Sequence, residues 1–241
     1  MVAAVTEEVR ATTILLVGAL LMRLSIGGEY ARYVRVGMGP LLLVSGILLA
    51  VVGLVGVIRA LRGSPHDRDI HHHDDHDHGH DHGSDRVGWL LLAPVLALLL
   101  VTPPSLGSFG VSRSTGVTVS SGGRVYSSLQ PGPEPVEMSL LEYAERVGDH
   151  HGASFGSVPV KLVGFVSKTS DGDGFQIARY QIACCAADAL AYAIRVTGTS
   201  GTPARDQWVT VIGTYQPAAD GAARLQASSL TEIPPPRDPY E

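Results

Sequence analysis

The residues from Val36 to Ile58 carry no charged side chain, and Arg35 and Arg59 bracket them. At 1.5 Å rise per residue a helix of this length is about 35 Å long, enough to cross a hydrocarbon core of about 30 Å. No polar stripe interrupts the run, so it does not read as the amphipathic helix of a soluble domain. In hydrocarbon every backbone N–H and C=O must find a partner within the protein, and a helix pairs them internally. This one stretch therefore commits the chain to a membrane. Gly46, Gly53 and Gly56 would let another helix approach closely. Ordinary tolerance of glycine in membrane helices explains them equally well.

Two further apolar stretches flank it. Ala11 to Ile26 carries Arg23 near its end, where a long side chain can snorkel to the interface. Tyr30 and Tyr33 follow as aromatic anchors. A secretory signal peptide is the alternative. Met1–Arg10 contains Glu7 and Glu8 but no basic n-region, and no clear small-x-small cleavage site precedes Glu29, so a retained span is expected. Val87 to Leu106 is uncharged, with Pro94 placed to kink it and Pro103-Pro104 to end it. The expectation is a multi-pass cell-membrane region, residues 1–106, with spans at about 11–26, 36–58 and 87–106 in contact with the lipid bilayer. Arg59, Arg62, Arg68 and Arg86 flank the second loop and Arg10 precedes span one, whereas Arg32 and Arg35 in the first loop are offset by Glu29. The positive-inside rule then puts the N-terminus and second loop in the cytoplasm and the C-terminal domain outside the cell.

That second loop holds the densest chemistry. Between positions 66 and 82 lie His66, His71, His72, His73, His76, His78, His80 and His82, interleaved with six aspartates. Imidazole suits Zn, Cu and Ni, and carboxylate adds oxygen ligands. Such a tract can wrap a metal without a preformed fold, giving an exchangeable site of low specificity. A solvated polar linker is the alternative. Similar loops occur between the membrane helices of zinc transporters, so zinc is the first metal to consider.

Beyond the third stretch the text changes. Residues 107–135 are rich in Gly, Ser and Pro and read as a linker with one short strand at Val117–Val119. Ser139 and Glu142 have capping-box spacing, and Leu140, Leu141, Ala144 and Val147 form an apolar stripe, which predicts a helix. It ends in a turn containing His150 and His151, read as solvated or as extra metal ligands. Five β runs follow, at Val158–Ser167, Phe175–Cys184, Tyr192–Thr197, Trp208–Tyr215 and Ala223–Ser229. Gly164 and Gly213 fall inside strands, where a barrel needs a sharp bend or bulge. The predicted fold is thus a three-span helical anchor followed by a mainly β domain, residues 136–241, built as a five-stranded OB-like barrel with a preceding helix. An open α+β sandwich is the alternative. From Gly107 to Glu241 there are 10 basic and 13 acidic residues. An acidic domain without a stacking platform excludes nucleic acid as a partner.

The chain has two cysteines, and they are neighbours, Cys184 and Cys185. Adjacent Cα atoms lie about 3.8 Å apart, below the usual disulfide range of roughly 4.4–6.8 Å. A bridge between them would be strained, so the pair reads as a thiol, redox or metal feature, or as two small buried hydrophobes. On a strand the two side chains would point to opposite faces. Both can reach one metal only if the backbone turns there, and the following Ala-Ala-Asp-Ala favours a turn. Asp188 could then return as an oxygen ligand or cap the turn. Two thiolates and a carboxylate suit Zn²⁺. Arg179 would lower the thiol pKa if it folded nearby. No nucleophile elbow, zinc-protease helix motif or phosphate loop is present, so no enzyme activity is expected.

Arg179-Tyr-Gln-Ile-Ala-Cys-Cys-Ala-Ala-Asp-Ala189, Trp208-Val-Thr-Val-Ile-Gly213 and the terminal Pro239-Tyr240-Glu241 resemble the YcgQ-like family of permease subunits. The resemblance covers most of the chain, and the Cys-Cys-Ala-Ala-Asp-Ala block is its specific part. It implies a small accessory membrane subunit working beside a larger, separately encoded multi-spanning permease subunit, in a setting linked to zinc or other metal homeostasis. The His/Asp tract is not carried by the resemblance. The residue-level reading that goes with it places a metal at Cys184, Cys185 and Asp188. A membrane-anchored thiol redox or metal-sensing protein is the other reading.

Overall fold

The structure is a computed structural model and describes residues 2–62, 93–94, 96–98, 100–101, 104–111, 125–168, 175–218 and 221–241. The histidine loop His66–His82, the short strand expected at Val117–Val119 and half of the third apolar stretch lie outside the described residues. The chain divides into two units, Met1–Tyr30 with Gly37–Pro103, and Ala31–Val36 with Pro104–Glu241.

The first unit is a helical hairpin. Helix α1 spans Val2–Gly27 and α2 spans Gly39–Arg62. Both are long and apolar enough to cross a membrane. The glycines of α2 meet α1 rather than an outside partner. A Cβ on Gly53 would lie 2.5 Å from the Leu15 backbone nitrogen, and one on Gly56 would lie 2.8 Å from Ala11 Cβ. Gly18 of α1 faces Gly46 and Ala50 in the same way. Residues 18, 15 and 11 thus oppose 46, 53 and 56, an antiparallel pairing in which each contact has a glycine on the α2 side. Leu41, Leu48, Val52 and other large apolar side chains of α2 stay exposed, as lipid-facing residues do. Three spans are expected from the sequence; two helices that qualify are found among the described residues.

The second unit is a mixed sheet of six strands: β1 (Val136–Glu137), β2 (Val160–Lys168), β3 (Phe175–Gln181), β4 (Leu190–Thr197), β5 (Trp208–Tyr215) and β6 (Arg224–Ile233). Their order is β1-β2-β3-β4-β6-β5, and β2 also pairs with β5. Pairing is antiparallel except for β1–β2 and β4–β6. Alternation in the strands sends one set of side chains inward, as with buried Phe175, Ile177, Ile194 and Val196. Gly213 marks a register shift between β5 and β6, where a Cβ would collide with the Gln226 carbonyl. A side chain at that bulge is sterically excluded.

Helix α4 (Leu140–Gly148) closes one end of the core; a single turn, α3, at Ser108–Val111 precedes it. Ser139 Oγ accepts from Glu142 N at 2.9 Å, as its spacing predicts. Glu142 does not complete a reciprocal box; it pairs with Arg146 at 2.9 Å. The remaining N-terminal amides are capped from far away, Leu140 N and Leu141 N donating to the Glu241 carboxylate at 2.9 and 3.2 Å. Burial pushes the Glu241 pKa up, and these two donors oppose that shift. Leu140, Tyr143 and Phe155 are fully buried against the sheet, and the Tyr143 hydroxyl donates to Arg224 O at 2.6 Å.

The described residues of the 107–135 segment pack against the sheet domain. Ser108 and Val111 are buried, Leu129 N donates to Ser154 O at 2.8 Å, and Arg146 donates to Ser127 O at 3.0 Å. Val111 joins a second cluster with Phe165, Tyr180, Ile182, Trp208 and Tyr240.

Candidate metal and thiol site

Strand β3 stops at Gln181, three residues before the cysteines, so the strict alternation of a strand does not apply to them. Ala186–Asp188 forms one 3₁₀ turn, with Asp188 N donating to Cys185 O at 3.0 Å. The Asp188 carboxylate folds back over this turn. Its Oδ1 accepts from Ala183 N at 2.8 Å, and its Oδ2 accepts from Cys184 N at 2.9 Å and Cys185 N at 3.1 Å. Oδ2 also accepts the Cys184 thiol, with Sγ at 2.9 Å. One carboxylate thus gathers three consecutive backbone amides and a side-chain S–H. A carboxylate offers about four acceptor sites, so this one is close to saturated.

The electrostatics follow from that geometry. The thiol bond and the three amides hold the Asp188 carboxyl far below the usual carboxylate range. The bond to Asp188 pushes the Cys184 thiol the other way, up to about 11. At neutral pH Asp188 is an anion and Cys184 a thiol. Thiolate is the reactive form, so this is the opposite of the depressed pKa that marks redox cysteines. Alkylation of Cys184 in a Cys185→Ser background should therefore rise about tenfold per pH unit from 7 to 10. An ordinary cysteine would level off near its pKa of about 8.5. Asp188→Asn removes the neighbouring charge, and its rate should level off earlier. A Cys185→Ser profile that flattens below pH 9 would show that the carboxylate does not hold the proton.

Cys184 is exposed and Cys185 half-buried. The two sulfurs and an Asp188 oxygen all lie within 4.8 Å of one another. These three form the one such group of metal-ligating side chains among the described residues. His150 and His151 are not part of it. They sit in the turn after α4 with left-handed φ of 48° and 54°, and the His150 ring is open to solvent, 3.6 Å from Asp149. The eight loop histidines lie outside the described residues.

Arg179 does something other than activate a thiol. Its guanidinium donates to Asp238 O at 2.8 Å and Tyr240 O at 3.2 Å, pairs with Glu241 at 3.9 Å, and lies over the Trp208 ring. It clamps the last residues of the chain. The Pro-Tyr-Glu terminus is thereby explained: Tyr240 bridges to Tyr180, Glu241 N donates to Tyr180 O at 2.9 Å, and Ile182 N donates to Glu241 O at 3.2 Å.

The sequence reading missed one neighbour of the site. The connector Ala31–Val36 lies beside the cysteines, with Val34 and Cys185 forming an antiparallel bridge. Arg35 N donates to Cys184 O at 3.1 Å, and Ala186 N donates to Tyr33 O at 2.7 Å. These are backbone bonds between residues 150 apart, and no side-chain pattern announces them.

No curated protein and no solved structure matches the chain. Family comparison identifies the DUF1980 N-terminal domain over residues 9–115 and the DUF1980 C-terminal domain over residues 139–241. Helical hairpin, sheet domain and cysteine turn thus fall within two domains of one family, and the chain belongs to DUF1980, the family its Cys-Cys-Ala-Ala-Asp-Ala block resembled as YcgQ-like.

Proposed function

We propose that this chain is an accessory membrane subunit whose outer domain captures a thiophilic metal, zinc first, beside a larger multi-spanning permease subunit. The observation that carries the reading is the convergence of Cys184, Cys185 and Asp188 on accessible surface, with ligand atoms within 4.8 Å. Two thiolates and a carboxylate are zinc donors, and three protein ligands leave a fourth position for water or a partner's group. An open site of this kind suits capture and hand-over better than a closed structural one. A metal here would take the place of the Cys184 proton on Asp188 Oδ2.

The finer architecture belongs to the same proposal. The strand ring β2-β3-β4-β6-β5, with β2 also pairing with β5, supports an OB-like barrel as the carrier of the site. Chain continuity supports the third span. Tyr240 OH donates to Arg32 O at 2.6 Å and accepts from Leu106 N at 3.4 Å, so residues on both sides of the 39–104 stretch belong to the outer domain. A chain that leaves with α2 must return between Arg62 and Pro104, and residues 87–106 are the apolar stretch available. The cysteines and the histidine loop then lie on opposite sides of the membrane. In intact cells a membrane-impermeant maleimide should label the cysteines; labelling only after lysis would reverse the assignment.

Isolation of the chain from native membranes in mild detergent, with metal analysis, tests partner and ligand together. The expected result is a larger multi-spanning protein in near-equal amount and zinc bound to the pair. A chain that purifies alone and metal-free would end the proposal.

A further inference from the structure

We infer that occupancy of the cysteine site is mechanically linked to the connector between α1 and α2, so that a ligand on Cys184 and Cys185 loosens that connector. This rests on the site reading above and adds how the site would be read out. The residues that supply the ligands also supply the pairing. Cys185 is extended (φ −152°, ψ 169°) and is the bridge partner of Val34. The Cys184 carbonyl accepts from Arg35 N, and the Ala186 amide donates to Tyr33 O. The connector runs from the end of α1 at Gly27 to the start of α2 at Gly39.

The site as folded is held shut by one carboxylate. Asp188 Oδ2 holds the amides of Cys184 and Cys185 together with the Cys184 thiol. Tetrahedral zinc with Zn–S near 2.3 Å places two sulfurs about 3.8 Å apart and draws a carboxylate oxygen to about 2.0 Å. Cys184 Sγ and Asp188 Oδ2 now lie 2.9 Å apart, closer than the roughly 3.5 Å between a sulfur and an oxygen on one tetrahedral zinc, so binding must open this contact. Oδ2 cannot take a metal and keep every donor it now has. The donor it gives up is the Cys184 thiol, and the separation of Sγ from Oδ2 is taken up by residues 184–188, whose backbone also forms the bridge. Coupling between two such events is reciprocal: what metal does to the connector, loss of the connector does to metal affinity.

The test is amide hydrogen exchange on the full chain in detergent, read in peptides covering residues 31–36 and 183–188. Exchange is compared without ligand, with saturating zinc, and after reaction of the thiols with a small methanethiosulfonate. The third arm perturbs the turn without metal. A second variant, Ala186→Pro, deletes the donor to Tyr33 O where proline is tolerated, since Cys185 is already extended and position 186 opens the turn. The expected result is at least about fivefold faster exchange across 31–36 in both ligated arms, and a change of zinc affinity of similar size in Ala186→Pro. If zinc binds but exchange in 31–36 is unchanged or slower, the link is overturned and the metal site stands. If zinc does not bind but thiol modification speeds the connector, the link stands and the metal reading falls. Unchanged exchange in both arms removes the link outright.

Discussion

Tyr240→Ala should cost the sheet domain about 3–5 kcal/mol, the range for removing a large aromatic side chain from a packed site. The ring is 4% exposed and packs among Phe165, Tyr180, Trp208 and Val111. Its hydroxyl donates to Arg32 O and accepts from Leu106 N. Truncation opens a cavity and leaves a carbonyl without its donor. Tyr240→Phe keeps the ring and should cost only about 1 kcal/mol, the net worth of one hydrogen bond. Urea unfolding in detergent measures both, with Trp89 replaced by Phe so that Trp208 alone reports. A cost below about 1 kcal/mol for the alanine variant would mean that the terminal residues do not close this cluster.

Replacing both cysteines should have the largest effect on ligand binding. Changes to groups that only orient a metal's ligands already cost about 10–100-fold in affinity. Losing two of three ligands should exceed that, so Cys184→Ser/Cys185→Ser should weaken zinc binding by at least about 100-fold. Acidity adds a signature. Because Asp188 holds the Cys184 proton with a pKa near 11, zinc must displace that proton at any lower pH. Affinity should fall about tenfold per pH unit on going from 9 to 7 for this one proton. A zinc affinity independent of pH across that range would mean that Cys184 is not a ligand.

Much of the sheet domain is legible in sequence because burial writes a period-two pattern. Trp208–Tyr215 was delimited to the residue, and the Ser139 cap and the bulge at Gly213 follow from local chemistry. The second run was drawn too long, to Cys184, because Ile182 is apolar and buried although the strand ends at Gln181. That overreach matters, since the strand's end is what lets both thiols share one ligand. The parallel pairing of Val136–Glu137 with β2 was missed, being too short to show alternation. The Val34–Cys185 bridge and the capping of α4 by Glu241 join distant residues through backbone groups, which leave no trace in composition or spacing. Arg179, which would lower a thiol pKa only if it folded beside the cysteines, reaches the terminal carbonyls instead.

The histidine tract and the cysteine pair are the two candidate sites that the chain offers a metal, and they separate cleanly by mutation. Zinc affinity of the purified full chain, measured by competition with a chromogenic chelator, should be compared in three forms: wild type, residues 66–82 removed, and Cys184→Ser/Cys185→Ser. The account predicts about one tight zinc per chain that survives removal of the loop and disappears with the cysteines. Zinc that disappears with the loop and is indifferent to the cysteines would contradict it.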